Sequence, residues 1–162
     1  MSAVVVSIAE AVKKQLAAAK LSKEIVPECS YADWEKPLEE QEIDPNVLLV
    51  DVVANTVEQK TERITKNKLK YLVPIDIGVR QRFAQDKQHQ DTGRILKSEI
   101  DALVLLVEDI HEEFFGARME QFSAASWKAT DILVNPITEH LHRMHQFTGI
   151  IRVTFEAVKT IT

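Results

Sequence analysis

Cysteine is almost missing. Cys29 is the only one in 162 residues, so neither an internal disulfide nor a Cys–Cys metal framework can form. That fits a reducing compartment. Glycine is scarce as well. With four in the chain there is no glycine-rich phosphate loop, and no Gly-x-Ser-x-Gly nucleophile turn occurs. No apolar run approaches the roughly 20 residues that span a bilayer, so a membrane is not expected as a partner. Residues 3–6 are apolar, but Glu10, Lys13 and Lys14 follow at once, so a signal peptide is not expected. An excess of basic charge is also lacking. The formal net charge of −5 argues against a dedicated nucleic-acid-binding domain and leaves phosphate contact to a local basic segment.

What is present is a long alternation. Residues 71–83 read Tyr-Leu-Val-Pro-Ile-Asp-Ile-Gly-Val-Arg-Gln-Arg-Phe. Tyr71, Val73, Ile75, Ile77, Val79, Gln81 and Phe83 share one strand face, almost wholly apolar, which should lie on the core. Leu72, Pro74, Asp76, Gly78, Arg80 and Arg82 form the other, which should meet solvent or another subunit. Pro74 lacks a backbone donor and is expected at an edge or a bulge. Gly78 in mid-strand points to a bulge or a close backbone approach. Residues 147–157 repeat the pattern, with Phe147, Ile151, Val153 and Phe155 on one face. This second strand can lie beside the first.

The remaining elements follow in order. Residues 4–20 read as an amphipathic helix through Val5, Ile8, Val12 and Leu16. Residues 25–31 look like a short strand with Pro27 at an edge. Residues 32–46 are acidic and broken by Pro37 and Pro45, which reads as a loop. Residues 47–54 suggest a strand buried on both faces. The clearest helix covers about 97–115, with an apolar stripe of Ile100, Leu103, Val104, Val107, Ile110 and Phe114. Ser98 with Asp101 offers its start and Gly116 its stop. Residues 127–133 suit a strand, and Asn135 with Pro136 opens a short helix to about 145. The expected fold is α+β: a single domain over 1–162, with a mostly antiparallel sheet of about four or five strands and helices packed on one face. At about 150 residues such a domain buries about 68–70% of its unfolded surface.

Residues 55–70 are polar and charged between two strand candidates. They read as a solvated hairpin loop, or as an arm that reaches a neighbouring subunit or lines a channel. Lys60, Arg63, Lys66 and Lys68 make them the one place where phosphate contact is plausible.

Catalytic constellations are hard to assemble. His142 and His145 can share a helical face, but zinc needs three or four ligands and His89 and His111 are remote. Exposed helix histidines are expected, with no metal and no cofactor. Glu108 with Glu112, and Asp109 with Glu113, are paired four apart. Such carboxylates can hold a cation or act as acid and base, but they also describe an ordinary acidic outer face. Cys29 has no histidine beside it. Trp34, Phe83, Phe114, Phe115, Trp127, Phe147 and Phe155 are scattered, as core or interface residues are.

Several stretches together resemble a known family. They are Thr61-Glu-Arg-Ile; Tyr71-Leu-Val-Pro-Ile-Asp-Ile-Gly-Val; Ile100-Asp-Ala-Leu-Val-Leu-Leu-Val-Glu-Asp-Ile; and His140-Leu-His-Arg-Met-His-Gln-Phe-Thr-Gly-Ile-Ile-Arg-Val-Thr-Phe. In this order they resemble the tail-completion, or tail-terminator, proteins of tailed bacteriophages, over residues 4 to 158. Residues 32–46 depart from the pattern. The resemblance implies a non-enzymatic virion protein that closes into a ring, usually of six, at the head-proximal end of the tail. Such a ring ends tail-tube polymerisation and meets the head–tail connector. DNA passes through its lumen without sequence-specific binding. It is assembled in the host cytoplasm. A neck or head-closure protein is the near alternative. A small enzyme using the helix carboxylates, and an adaptor that binds a peptide at a sheet edge, are the others.

Overall fold

The computed structural model describes residues 3–38, 44–115 and 125–161. Three helices and six strands appear in the order α1 (Val4–Ala18), β1 (Pro27–Ser30), β2 (Leu48–Ala54), β3 (Lys60–Thr65), β4 (Lys68–Arg82), α2 (Lys97–Phe114), β5 (Ala125–Val134), α3 (Thr138–Met144) and β6 (Gln146–Thr160). The sheet order is β1-β2-β4-β6-β5, with β3 also paired to β4. All pairs are antiparallel except β1 with β2. The fold is α+β on a mixed, mostly antiparallel sheet. Six strands stand where four or five were expected, because β3 lies in a stretch that reads as loop.

The β4–β6 pair is the spine. Both strands are 15 residues long and stay in register from Lys68↔Thr160 to Arg82↔Gln146. Val73, Ile75, Ile77 and Val79 face the same side as Phe147, Ile151, Val153 and Phe155, and all eight are fully buried. On this side α1 contributes Ile8, Val12 and Leu16, and α2 contributes Leu103, Leu106, Val107, Ile110 and Phe114. Ile100 and Val104 are only half-buried at the margin of this cluster. Val107 Cγ2 would lie 2.6 Å from a Cβ on Gly149, so β6 lacks a side chain where the helix presses closest.

Pro74 is not at an edge. Its carbonyl accepts from Asn55 N–H at 3.0 Å, on the side of β4 where β2 has ended at Ala54 and β3 has not begun. A strand residue points its nitrogen and carbonyl the same way, so the missing donor faces this gap. Proline therefore fits in the middle of a central strand.

The opposite face of the spine is not left to solvent. After β1, residues 31–38 cross it as a strap. Gly78 is where the strap comes closest: a Cβ there would lie 2.2 Å from Trp34 Cη2. Arg80 packs its guanidinium 5.0 Å from the centroid of the Trp34 ring. Further along, Leu38 N–H donates to the buried Gln146 Oε1 at 2.7 Å. Gly78→Val should push the indole out and destabilise the fold by about 1–3 kcal/mol, as overpacking does. Trp34→Ala in that background should recover part of the loss in a denaturant titration. No recovery would mean that the strap is not seated on Gly78.

Helix ends also differ from expectation. Leu96, not Ser98, takes the N-cap place of α2, with no side-chain cap, and Asp101 pairs with Lys97. Gly116 lies outside the described residues. The Asn135–Pro136 bond is cis, and α3 begins at Thr138 with Ile137 at the cap, so Pro136 precedes the helix rather than opening it. Asn135 Nδ2 donates instead to Val104 O at 3.3 Å. No helix among the described residues is long and apolar enough to cross a membrane.

Candidate functional site

β3 and the first residues of β4 outrun the helices. Lys60↔Leu72 to Thr65↔Lys68 form a hairpin that turns at residues 66–67, with a register shift between Arg63 and Thr65. The tail of β6 makes the third strand, through Lys68↔Thr160 and Ile161 N–H to Asn67 O at 2.6 Å. All six residues of β3 are exposed, so neither face of its outer strand is covered. Without an inward face β3 shows no apolar alternation. Thr61, Ile64 and Thr65, β-branched, suit an extended backbone.

The arm is basic. Residues 60–70 hold five basic side chains and one acidic, Glu62, which takes Lys70 at 3.4 Å. Among the described residues no carboxylate pairs with Lys60, Arg63, Lys66 or Lys68, and all four are exposed. Ile64, half exposed, and Val57, 93% exposed, add apolar surface.

The root of the arm is clamped. Arg152 on β6 donates through Nε and Nη2 to the two oxygens of Asp76 at 2.7 and 3.0 Å, and through Nη1 to Glu58. Asp76, only 4% exposed, also accepts from Asn55 Nδ2 at 3.2 Å. Asn55 Oδ1 in turn receives Glu58 N–H at 3.0 Å, which fixes the turn between β2 and β3. The hydrogen bonds to Asp76 outweigh burial and hold Arg152 still more firmly charged than usual. A neighbouring ion pair, Arg80 Nη2 to Asp51 Oδ2 at 2.9 Å, has Ser30 Oγ donating to the other carboxylate oxygen. A cavity of about 540 Å3 opens over the clamp, between Trp34, Val57, Leu133 and Arg152. Its charged floor is already paired internally.

The outer face of α2 has the opposite character. Asp101, Leu105, Glu108 and Glu112 lie along one exposed stripe, and Phe115, the exposed residue that ends the helix, sets its ring against Trp127 and His111. From Glu108 to Phe115 the helix carries four carboxylates and no lysine or arginine. Asp109 accepts Ser22 N–H at 3.0 Å, whereas no described residue pairs with Glu108 or Glu112. The last helical turn is held by Thr130, whose hydroxyl donates to Phe114 O at 2.8 Å and receives Trp127 Nε1–H at 2.7 Å.

His142 and His145 line one cavity of about 480 Å3, with Arg94 beside them, and no other described histidine lines it. His140 is buried rather than exposed. Gln146 Nε2 donates to Thr148 Oγ1, and that hydroxyl also shares a hydrogen bond with His140 Nδ1, each at 2.8 Å. His145 closes α3 in a left-handed conformation, φ 48°. Among the described residues no group of three or more His, Cys, Asp or Glu could hold a metal ion. Burial, and Glu10 nearby, push the Cys29 thiol up to about 11, so little thiolate exists at neutral pH.

The arm's basic residues thus share one surface, the α2 carboxylates another, and His142 with His145 a third. Sequence reasoning missed the strap and the Asp76–Arg152 clamp. Their one local signal was polar and small residues on the second face of β4. No known protein family matches this chain, and neither does any curated protein.

Proposed function

We propose that the chain is a structural subunit of a tailed-bacteriophage virion, forming a ring at the head-proximal end of the tail. There it ends tube polymerisation and joins the head connector. The observation that carries this reading is the arm. A three-stranded ribbon held rigidly at its root, with its outer strand bare on both faces, has no role within one copy but suits contact between copies. Heterologous contacts of that kind close into rings when the rotation between copies closes. The resemblance named above supplies the place in the virion. The net negative charge suits a conduit, because phosphates are repelled rather than held. The protein needs no catalytic centre for this work.

Size-exclusion chromatography with light scattering, run alone and with tail tubes, tests the assembly. A closed oligomer, with six copies expected, supports the proposal. A monomer under both conditions contradicts it. Cross-linking then separates the neck alternative: capture of tube protein supports a terminator, and capture of connector protein alone supports a neck protein.

A further inference from the structure

We infer that the arm of one copy docks on the acidic stripe of α2 in the next copy. The contact rests on the ring reading above and names its two surfaces. The charges match. Lys60, Arg63, Lys66 and Lys68 face solvent without a described carboxylate partner, and so do Glu108 and Glu112 without a described cation. The apolar groups match too: Ile64 on the arm, and Leu105 with Phe115, which are 48% and 64% exposed, on the helix.

The helix side is also uncomfortable alone. Glu108 with Glu112, and Asp109 with Glu113, repel at i,i+4 spacing. They stand at the negative end of the helix dipole, where cations are favoured. Incoming lysines and arginines relieve both effects.

Topology puts the two surfaces on opposite flanks. β3 lies beside β4 on the β2 side of the spine, whereas α2 packs on β6 and β5. Made head-to-tail, as the ring reading requires, the contact carries the same rotation from copy to copy. Because the charged groups are exposed, salt should weaken it; screening acts over about 8 Å at physiological ionic strength.

Two charge-reversed proteins test this. One carries Arg63→Glu, Lys66→Glu and Lys68→Glu. The other carries Glu108→Lys and Glu112→Lys. All five positions are exposed, so circular dichroism should show both proteins folded. Each alone should need at least about tenfold more protein to assemble than the wild type. Mixed in equal amounts they should assemble again, because each arm then meets a helix of opposite sign. Native mass spectrometry should show alternating rings with an even number of copies.

Wild-type-like assembly of either variant alone, or failure of the mixture, overturns this contact but leaves the ring reading standing. A wild-type protein that never assembles removes both. A short fluorescent duplex separates the rival occupant: if the arm variant assembles normally and only its DNA binding falls, the arm serves phosphates and the contact is wrong.

Discussion

Val107→Asp should leave the chain without a cooperative unfolding transition at 25 °C. Val107 is fully buried between α2 and β6, and its methyl group occupies the space that Gly149 leaves empty. A carboxylate there would stand in the apolar cluster that holds Leu103, Ile110 and Ile151. It must either stay charged without a partner or take up a proton, and both cost several kcal/mol. Folded domains are stable by only about 5–15 kcal/mol, so most of the margin is consumed. Leu105→Asp, two residues away on the exposed side, should remain folded. Thermal melts followed by circular dichroism distinguish the two. A sharp transition for Val107→Asp near that of the wild type would mean that α2 does not cover β6 as described.

Asp76→Ala should cost about 3–5 kcal/mol, the range found when one partner of a buried ion pair is removed. At this chain length that lowers the melting temperature by roughly 6–20 °C. The loss has a definite anatomy. Arg152 loses both of its hydrogen bonds to Asp76, and Asn55 Nδ2 loses its acceptor. Glu58 remains as the partner that keeps the value from rising further. Removing Arg152 together with Asp76 should cost less than the sum of the separate losses, because no uncompensated charge is then left behind. Simple additivity in this double-mutant cycle would show that the clamp is not a coupled unit. The same variant should loosen the root of the arm, since Asn55 also fixes Glu58 and the start of β3. Its assembly should therefore suffer beyond its stability.

These features differ in how well the sequence announces them, and the reason is physical. β4 and β6 are legible because one face of each lies on the core, so apolar residues recur every second position. The stripe of α2 is legible for the same reason at helical spacing. β3 is not: both its faces are exposed, and only its pairing with β4 makes it a strand. Gly78 signals a close approach, but nothing near it in sequence names Trp34 as the visitor. Pro74 reads as an edge marker because the rule concerns the missing donor, and a gap between β2 and β3 satisfies the rule inside the sheet. His140 reads as an exposed helix residue until Thr148, eight residues on, is folded back against it. The basic arm is visible as a run of charge, whereas its clamp joins residues 76 positions apart.

The account turns on whether identical copies close a ring that finishes a tail. Electron microscopy of growing tail tubes with the protein added tests this directly. Tubes capped by one ring at a single end, and no longer able to elongate, are expected. Tubes that keep growing with bare ends, at concentrations where the protein is in excess, would contradict it.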